Sequence, residues 1–192
     1  MTPPESDLFA NSAADLGSAL HDAFGFAELR AGQREAIEAV LDGRNVLAVM
    51  PTGAGKSLCY QLPAIVRGGL TVVVSPLVAL MRDQVATLRL NGIAAATINS
   101  DLSRDENVRT WYAVRDGAVR LLYMSPERLM TERMLSALSK LDISLFAIDE
   151  AHCISQWGPA FRPEYAMLAN LRERFPGTPV IGLTATADKA TR

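Results

Sequence analysis

At 192 residues, 49% of them apolar and 21% charged, the chain is long enough for one well-packed domain, too short for two large ones and too apolar for global disorder. A net charge of −2 excludes a histone-like or polybasic nucleic-acid binder, although Arg82, Arg89, Arg128 and Arg162 leave room for a local basic groove. No apolar run reaches the roughly 18 residues that span a bilayer, and the acidic N-terminus lacks the basic-then-apolar order of a signal peptide. Two cysteines, Cys59 and Cys153, without CxxC spacing support neither a disulfide framework nor a zinc site. Cys59 reads as a buried free thiol, and a reducing cytoplasm fits best.

Residues 1–15, rich in Pro, Ser, Asp and Asn, are expected to form a mobile tail before a single domain over 16–192. Ile37, Val40 and Leu41 then recur with helical spacing, and Gly43 stands where that helix should stop. An apolar run at 46–50 predicts a strand, and the pattern from Leu58 to Val66 predicts a helix. Between them lies Met50-Pro51-Thr52-Gly53-Ala54-Gly55-Lys56-Ser57. Small residues let backbone N–H groups close around phosphate oxygens, and the following helix N-terminus adds its partial positive charge. Lys56 suits the β and γ phosphates of a nucleotide, and the Ser57 hydroxyl suits Mg²⁺. The strict GxxxxGK[ST] pattern fails at its first position, Met50, and a Gly-rich strand-to-helix turn is the competing reading.

Further strands are predicted at 71–75, 94–99, 119–124, 143–149 and 180–184. Leu77, Leu80, Met81, Val85 and Leu88 make a helical pattern between the first two of these, closed by Gly92. The strand runs are continuous rather than alternating, which implies burial on both faces and a mostly parallel sheet with helical crossovers. The strand at 143–149 ends in adjacent carboxylates, Asp149 and Glu150, followed by His152 and a loop with Trp157, Phe161 and Arg162. Carboxylates at the C-terminal end of a buried strand sit where open α/β sheets bind ligands. An aromatic and an arginine just beyond suit stacking on a nucleic-acid base or sugar, with core packing as the alternative.

Together these motifs resemble the RecQ-type DNA helicases of superfamily 2, over about residues 24–192, which is the first RecA-like lobe of that family. Phe24-Gly25-Phe26, Leu29-Arg30 and Gln33 are similar to its adenine-recognition motif: Phe26 would stack on the base and the Gln33 amide pair with its edge. A hydrophobic plug and an exposed helix start are the plainer readings of those residues. Ser75-Pro76-Leu77 with Gln84 resembles motif Ia, and Ser125-Pro126-Glu127-Arg128 resembles motif Ib, both implying DNA phosphate contacts. A Ser cap with Pro at the first helical position would explain the same residues structurally. The resemblance makes Asp149 a Mg²⁺ ligand with Ser57, Glu150 the residue that orients and deprotonates the attacking water, and His152 a coupling residue. It makes Thr52, Gly53, Ala54, Gly55, Lys56, Ser57 and Leu58 the nucleotide-binding stretch, and Thr184 and Thr186 motif III. Trp157, Phe161 and Arg162 would contact DNA, but the family's QWGHDFRP reads Gln156-Trp157-Gly158-Pro159-Ala160-Phe161-Arg162-Pro163 here.

The implied fold is thus α/β, a RecA-like P-loop NTPase domain with helices on both faces of a mostly parallel sheet. The implied function is Mg·ATP-driven 3′ to 5′ translocation on single-stranded DNA, unwinding partially duplex DNA in repair and recombination. No membrane is implied. A second RecA-like lobe would supply the missing arginine, so the 192 residues are expected to be one lobe of a longer protein. The alternatives are a non-enzymatic lobe that binds nucleotide or DNA, and an RNA-directed helicase of the same superfamily. A small-molecule P-loop kinase fits least.

Overall fold

The computed structural model describes residues 16–154 and 166–185. A helical segment at 16–24 (α1) precedes α2 (Gln33–Leu41), and strands and helices then alternate. They are β1 (Val46–Val49), α3 (Leu58–Arg67), β2 (Leu70–Val74), α4 (Val78–Leu90), β3 (Ala95–Ile98), α5 (Arg104–Arg115) and β4 (Leu121–Met124). After them come α6 (Pro126–Leu129), α7 (Glu132–Leu138), β5 (Ile143–Ile148), a 3-10 turn at Ala151–Ile154, α8 (Leu171–Arg174) and β6 (Val180–Thr184). The six strands form one sheet in the order β1-β6-β5-β2-β4-β3, and every pairing is parallel.

All six expected strands are present. Several of their predicted last residues fall just outside, although their N–H groups still reach the neighbouring strand. Met50 donates to Thr184 O at 3.0 Å, Ser75 to Met124 O at 3.2 Å and Asp149 to Val74 O at 2.8 Å. The chain therefore leaves the sheet with its polar side chains gathered along one edge.

Both faces are covered, which explains the continuous apolar runs. Val73, Tyr123, Leu145, Ala147, Ile181 and Leu183 pack with α2, α3 and α4 on one side. Val72, Val74, Leu122, Met124, Phe146 and Ile148 pack with α6, α7 and α8 on the other, where the Phe146 and Phe175 rings lie 4.9 Å apart. β1 departs from the expected double burial: at the sheet border, Leu47 and Val49 are exposed. On α4, Met81, Val85 and Leu88 reach the core as the spacing predicts, whereas Leu77 stays exposed.

The glycine stops form as expected. Gly92, at φ 75°, follows α4 and lets Ile93 N bond back to Leu88 O at 2.9 Å while both side chains enter one core. Gly43 repeats the arrangement after α2. Arg67, at the end of α3, donates to the carbonyls of Val40 and Leu41 at 3.0 and 2.8 Å, tying α3 to the end of α2. Among the described residues no helix is long and apolar enough to cross a membrane.

Candidate active site

The loop between β1 and α3 is held from below by the segment before α2. Gln33 is 3% exposed; its Oε1 accepts from Arg30 N at 2.8 Å, and its Nε2 donates to the carbonyls of Ala54 and Gly55 at 3.0 and 3.1 Å. The Arg30 guanidinium donates to Gly53 O at 2.8 Å. These bonds hold the carbonyls of Gly53, Ala54 and Gly55 against Arg30 and Gln33. Gly55 has φ 77°, and a Cβ there would stand 2.7 Å from Gln33 Nε2. Only glycine meets both demands.

Met50 occupies the first position of the loop pattern without straining it. Its φ is not positive, and its side chain is buried beneath the loop, where Sδ receives the Cys59 thiol at 3.9 Å. The departure from the motif is thus absorbed by core packing. Burial pushes the Cys59 thiol up to about 11, so this free cysteine is unreactive at neutral pH. Lys56 is half-buried, with Nζ 3.4 Å from Met50 O, and Ser57 is the N-cap of α3. The Leu58 side chain lies in the core, so any contact it makes with a nucleotide is through its backbone.

β5 delivers the carboxylates one strand beyond β6. With neighbouring strands roughly 4.8 Å apart, the phosphate loop and Asp149 are separated by about 10 Å across β6, room for phosphates and a cation. Asp149 is 7% exposed. Burial, and then the adjacent Glu150 charge, raise its carboxyl from 3.8 to about 6, against the opposing pull of the Glu150 N–H, Lys56 and His152. Asp149 Oδ1 accepts that N–H at 3.0 Å. Glu150 is the non-glycine residue with positive φ among those described, at 52°. A strained backbone beside buried charge marks a functional position. His152 Nδ1 lies 3.1 Å from both Glu150 Oε2 and Thr184 Oγ1. Since Met50 N bonds to Thr184 O, the end of β6 joins the carboxylates to the phosphate loop.

A buried carboxylate with a raised pKa beside a second carboxylate favours a cation. Asp149 and the Ser57 hydroxyl are hard oxygen donors of the kind Mg²⁺ takes together with substrate phosphates. The residues fit that ion.

Phe26 is 51% exposed, so its ring is no hydrophobic plug, whereas Phe24 packs against the core. Of the residues expected to meet DNA, Ser75 is buried with its hydroxyl unpartnered among the described residues, and Pro76 is half-buried. Gln84 accepts from the Tyr60 hydroxyl at 2.5 Å, and the Ser125 hydroxyl caps α6 by accepting from Arg128 N at 3.3 Å. Trp157, Phe161, Arg162 and Thr186 lie outside the described residues. Arg82 and Arg89 do meet, with Arg109, around a cleft of about 470 Å³ between α4 and α5; Arg128 does not line it. Sequence reasoning missed Tyr60 and Tyr123. Their signal was a polar ring tip within otherwise apolar stretches, LCYQL and LLYM.

A glycine-rich loop leading into a helix and paired carboxylates, all at the C-terminal edge of a parallel sheet, define an α/β domain of the RecA-like class. The family model described as DEAD/DEAH box helicase matches residues 30–192, and the chain belongs to this family. Within it, the chain is 50% identical to the ATP-dependent DNA helicase RecQ of Pasteurella multocida over 173 residues, 90% of this chain and 27% of that protein. It is 46% identical to ATP-dependent DNA helicase Q-like 2 of Arabidopsis thaliana, covering 85% of this chain and 24% of the relative. The chain thus spans about a quarter of the length of these relatives. Solved helicases share its fold at lower identity. MrfA bound to DNA and AMPPNP superposes with a TM-score of 0.73 at 22% identity, covering 99% of this chain and 28% of that one. Mycobacterium smegmatis Lhr bound to single-stranded DNA and AMP-PNP gives 0.68 at 23% identity, covering 93% and 26%.

Proposed function

We propose that the chain is the first RecA-like lobe of a RecQ-type ATP-dependent DNA helicase, preceded by a short tail at 1–15 and working with a second lobe in the reducing cytoplasm. The observation that carries the reading is the linkage of Met50, Thr184, His152 and Glu150, which joins loop 51–57 to the carboxylates across β6. Loop N–H groups and the start of α3 would cradle the phosphates, with Lys56 on the β and γ oxygens. Phe26 would lie against the base. Bound Mg²⁺, held by Ser57 and Asp149, would neutralise charge on the transferred phosphoryl group. Glu150 would orient the attacking water and accept its proton, held by His152 in reach of it. Hydrolysis would drive 3′ to 5′ movement along single-stranded DNA and unwinding in repair and recombination, with Ser75, Pro76, Gln84, Ser125, Trp157, Phe161 and Arg162 toward the strand.

In the full-length protein, Lys56→Ala and Glu150→Ala should each lower DNA-stimulated ATP turnover by about 100-fold or more. Turnover unchanged in both would overturn the site assignment. Equal stimulation by RNA would replace DNA with the RNA-directed reading, and no turnover in the unsubstituted protein would leave a binding lobe.

A further inference from the structure

Two tyrosines meet inside an aliphatic core. Tyr60 and Tyr123 are each 1% exposed, their rings packed edge to face at 6.4 Å. Tyr60 belongs to α3, three residues after Ser57 and so on the same helix face. Tyr123 belongs to β4, which leads into Ser125. The Tyr60 hydroxyl lies 2.5 Å from Gln84 Oε1 on α4 and 3.3 Å from the Tyr123 hydroxyl, and Gln61 Nε2 lies 3.4 Å from the same Tyr123 oxygen. The phosphate-loop helix, the helix after Ser75-Pro76 and the strand before Ser125 are therefore pinned at two oxygen atoms.

The direction of these bonds follows from donor arithmetic. A carbonyl oxygen only accepts, so the single Tyr60 proton goes to Gln84 Oε1. Tyr123 must then donate to Tyr60 and receive from Gln61. A phenol keeps its proton at neutral pH, so each hydroxyl brings one donor to the chain. The chain Gln61 to Tyr123 to Tyr60 to Gln84 has one orientation. It fixes the Gln84 amide with its carbonyl inward, and its NH₂ remains as a donor on half-exposed α4.

We propose that Tyr60 is a positioning residue that couples the nucleotide site to strand binding by setting the Gln84 amide. A shift of α3 or Ser57 when Mg·nucleotide binds reaches Gln84 through one hydroxyl, and a strand held by the Gln84 NH₂ pulls on α3 through the same bond. The inference rests on the helicase reading above and names a route between its two ligand sites.

Coupling is measured by binding alone, and it is reciprocal. In the full-length protein, the affinity for a fluorescent single-stranded DNA oligonucleotide is measured with and without Mg·AMP-PNP, and the nucleotide affinity with and without the oligonucleotide. The unsubstituted protein should show one common ratio, on the order of 5-fold or more from unity. Tyr60→Phe keeps the ring and removes the hydroxyl; it should bring both ratios to within about 2-fold of unity while each ligand alone binds about as before. Tyr123→Phe, which leaves the Tyr60–Gln84 bond intact, should fall between them. Full coupling in Tyr60→Phe would overturn the proposal and make the pair a packing element. So would loss of nucleotide binding in that variant, confirmed folded by its melting curve, since Tyr60 would then belong to the nucleotide site itself. An unsubstituted protein that binds neither ligand would instead overturn the helicase reading on which the proposal stands.

Discussion

Two Ser-Pro turns leave adjacent strands of the sheet, and they differ. Ser125-Pro126 follows β4 as local chemistry dictates: Pro126 opens α6 and the Ser125 hydroxyl caps it. Ser75-Pro76 follows β2, but α4 begins only after Leu77, which caps it without a side-chain bond, and the Ser75 hydroxyl is buried without a partner among the described residues. An unpaired buried hydroxyl costs about 1–3 kcal/mol. Ser75 sits between β4 and β5, one strand from Asp149, whose carboxyl is also held against its solvation preference. β2 and β5 thus end in polar groups kept at a cost in stability, whereas β4 ends in a satisfied cap. Groups of the first kind are those a ligand completes.

Substitution separates the two kinds by sign, and the largest effect is expected at Asp149. Its carboxyl titrates at 3.8 when unfolded and at about 6 when folded, so the folded state binds more protons between those values. Its stabilising contribution is full below 3.8 and lost as pH rises through 6. Asp149→Asn should therefore stabilise the ligand-free chain by about 3 kcal/mol at pH 7–8 in denaturant titrations, with the gain vanishing near pH 4. Mg²⁺-dependent nucleotide binding should fall in the same variant. A stability difference independent of pH would show that the carboxylate is not held at a cost. Ser75→Ala should come next, stabilising by about 1–2 kcal/mol through removal of the unpaired hydroxyl. A lower melting temperature in that variant would mean that Ser75 is satisfied in solution and would erase the contrast between the turns. The smallest change, of opposite sign, is expected for Ser125→Ala, which should destabilise by about 1 kcal/mol through loss of the cap. No loss there would place both turns in one class.

The same contrast marks what the sequence makes legible. Patterns carried by neighbours along the chain read correctly: the six strands, the glycine stops after α2 and α4, the loop before Lys56 and the Ser125 cap. Contacts between distant segments did not. Nothing in FGF or in the run around Gln33 announces that its amide would bond the carbonyls of Ala54 and Gly55. Met50 looks like a motif failure until its thioether is seen packed on Cys59. Val49 reads as a buried strand residue, yet β1 lies at the sheet border and exposes it. Arg109 joins Arg82 and Arg89 only because α4 and α5 both flank β3, while Arg128, equally basic, lies in α6.

The position of β6 orders the assembly of the domain. Among the described strands β1 pairs with β6 alone, and β6 is the last of them in the chain. During synthesis β2 and β3 can pair once β4 lies between them and β5 can then join β2, but β1 must wait for Val180–Thr184 before it gains a strand neighbour. Until then the loop after β1 lacks the bond from Met50 N to Thr184 O that links it through β6 to the carboxylates. The strand that enters the sheet last in the chain thus sits between the two halves of the candidate site and fixes their register to each other.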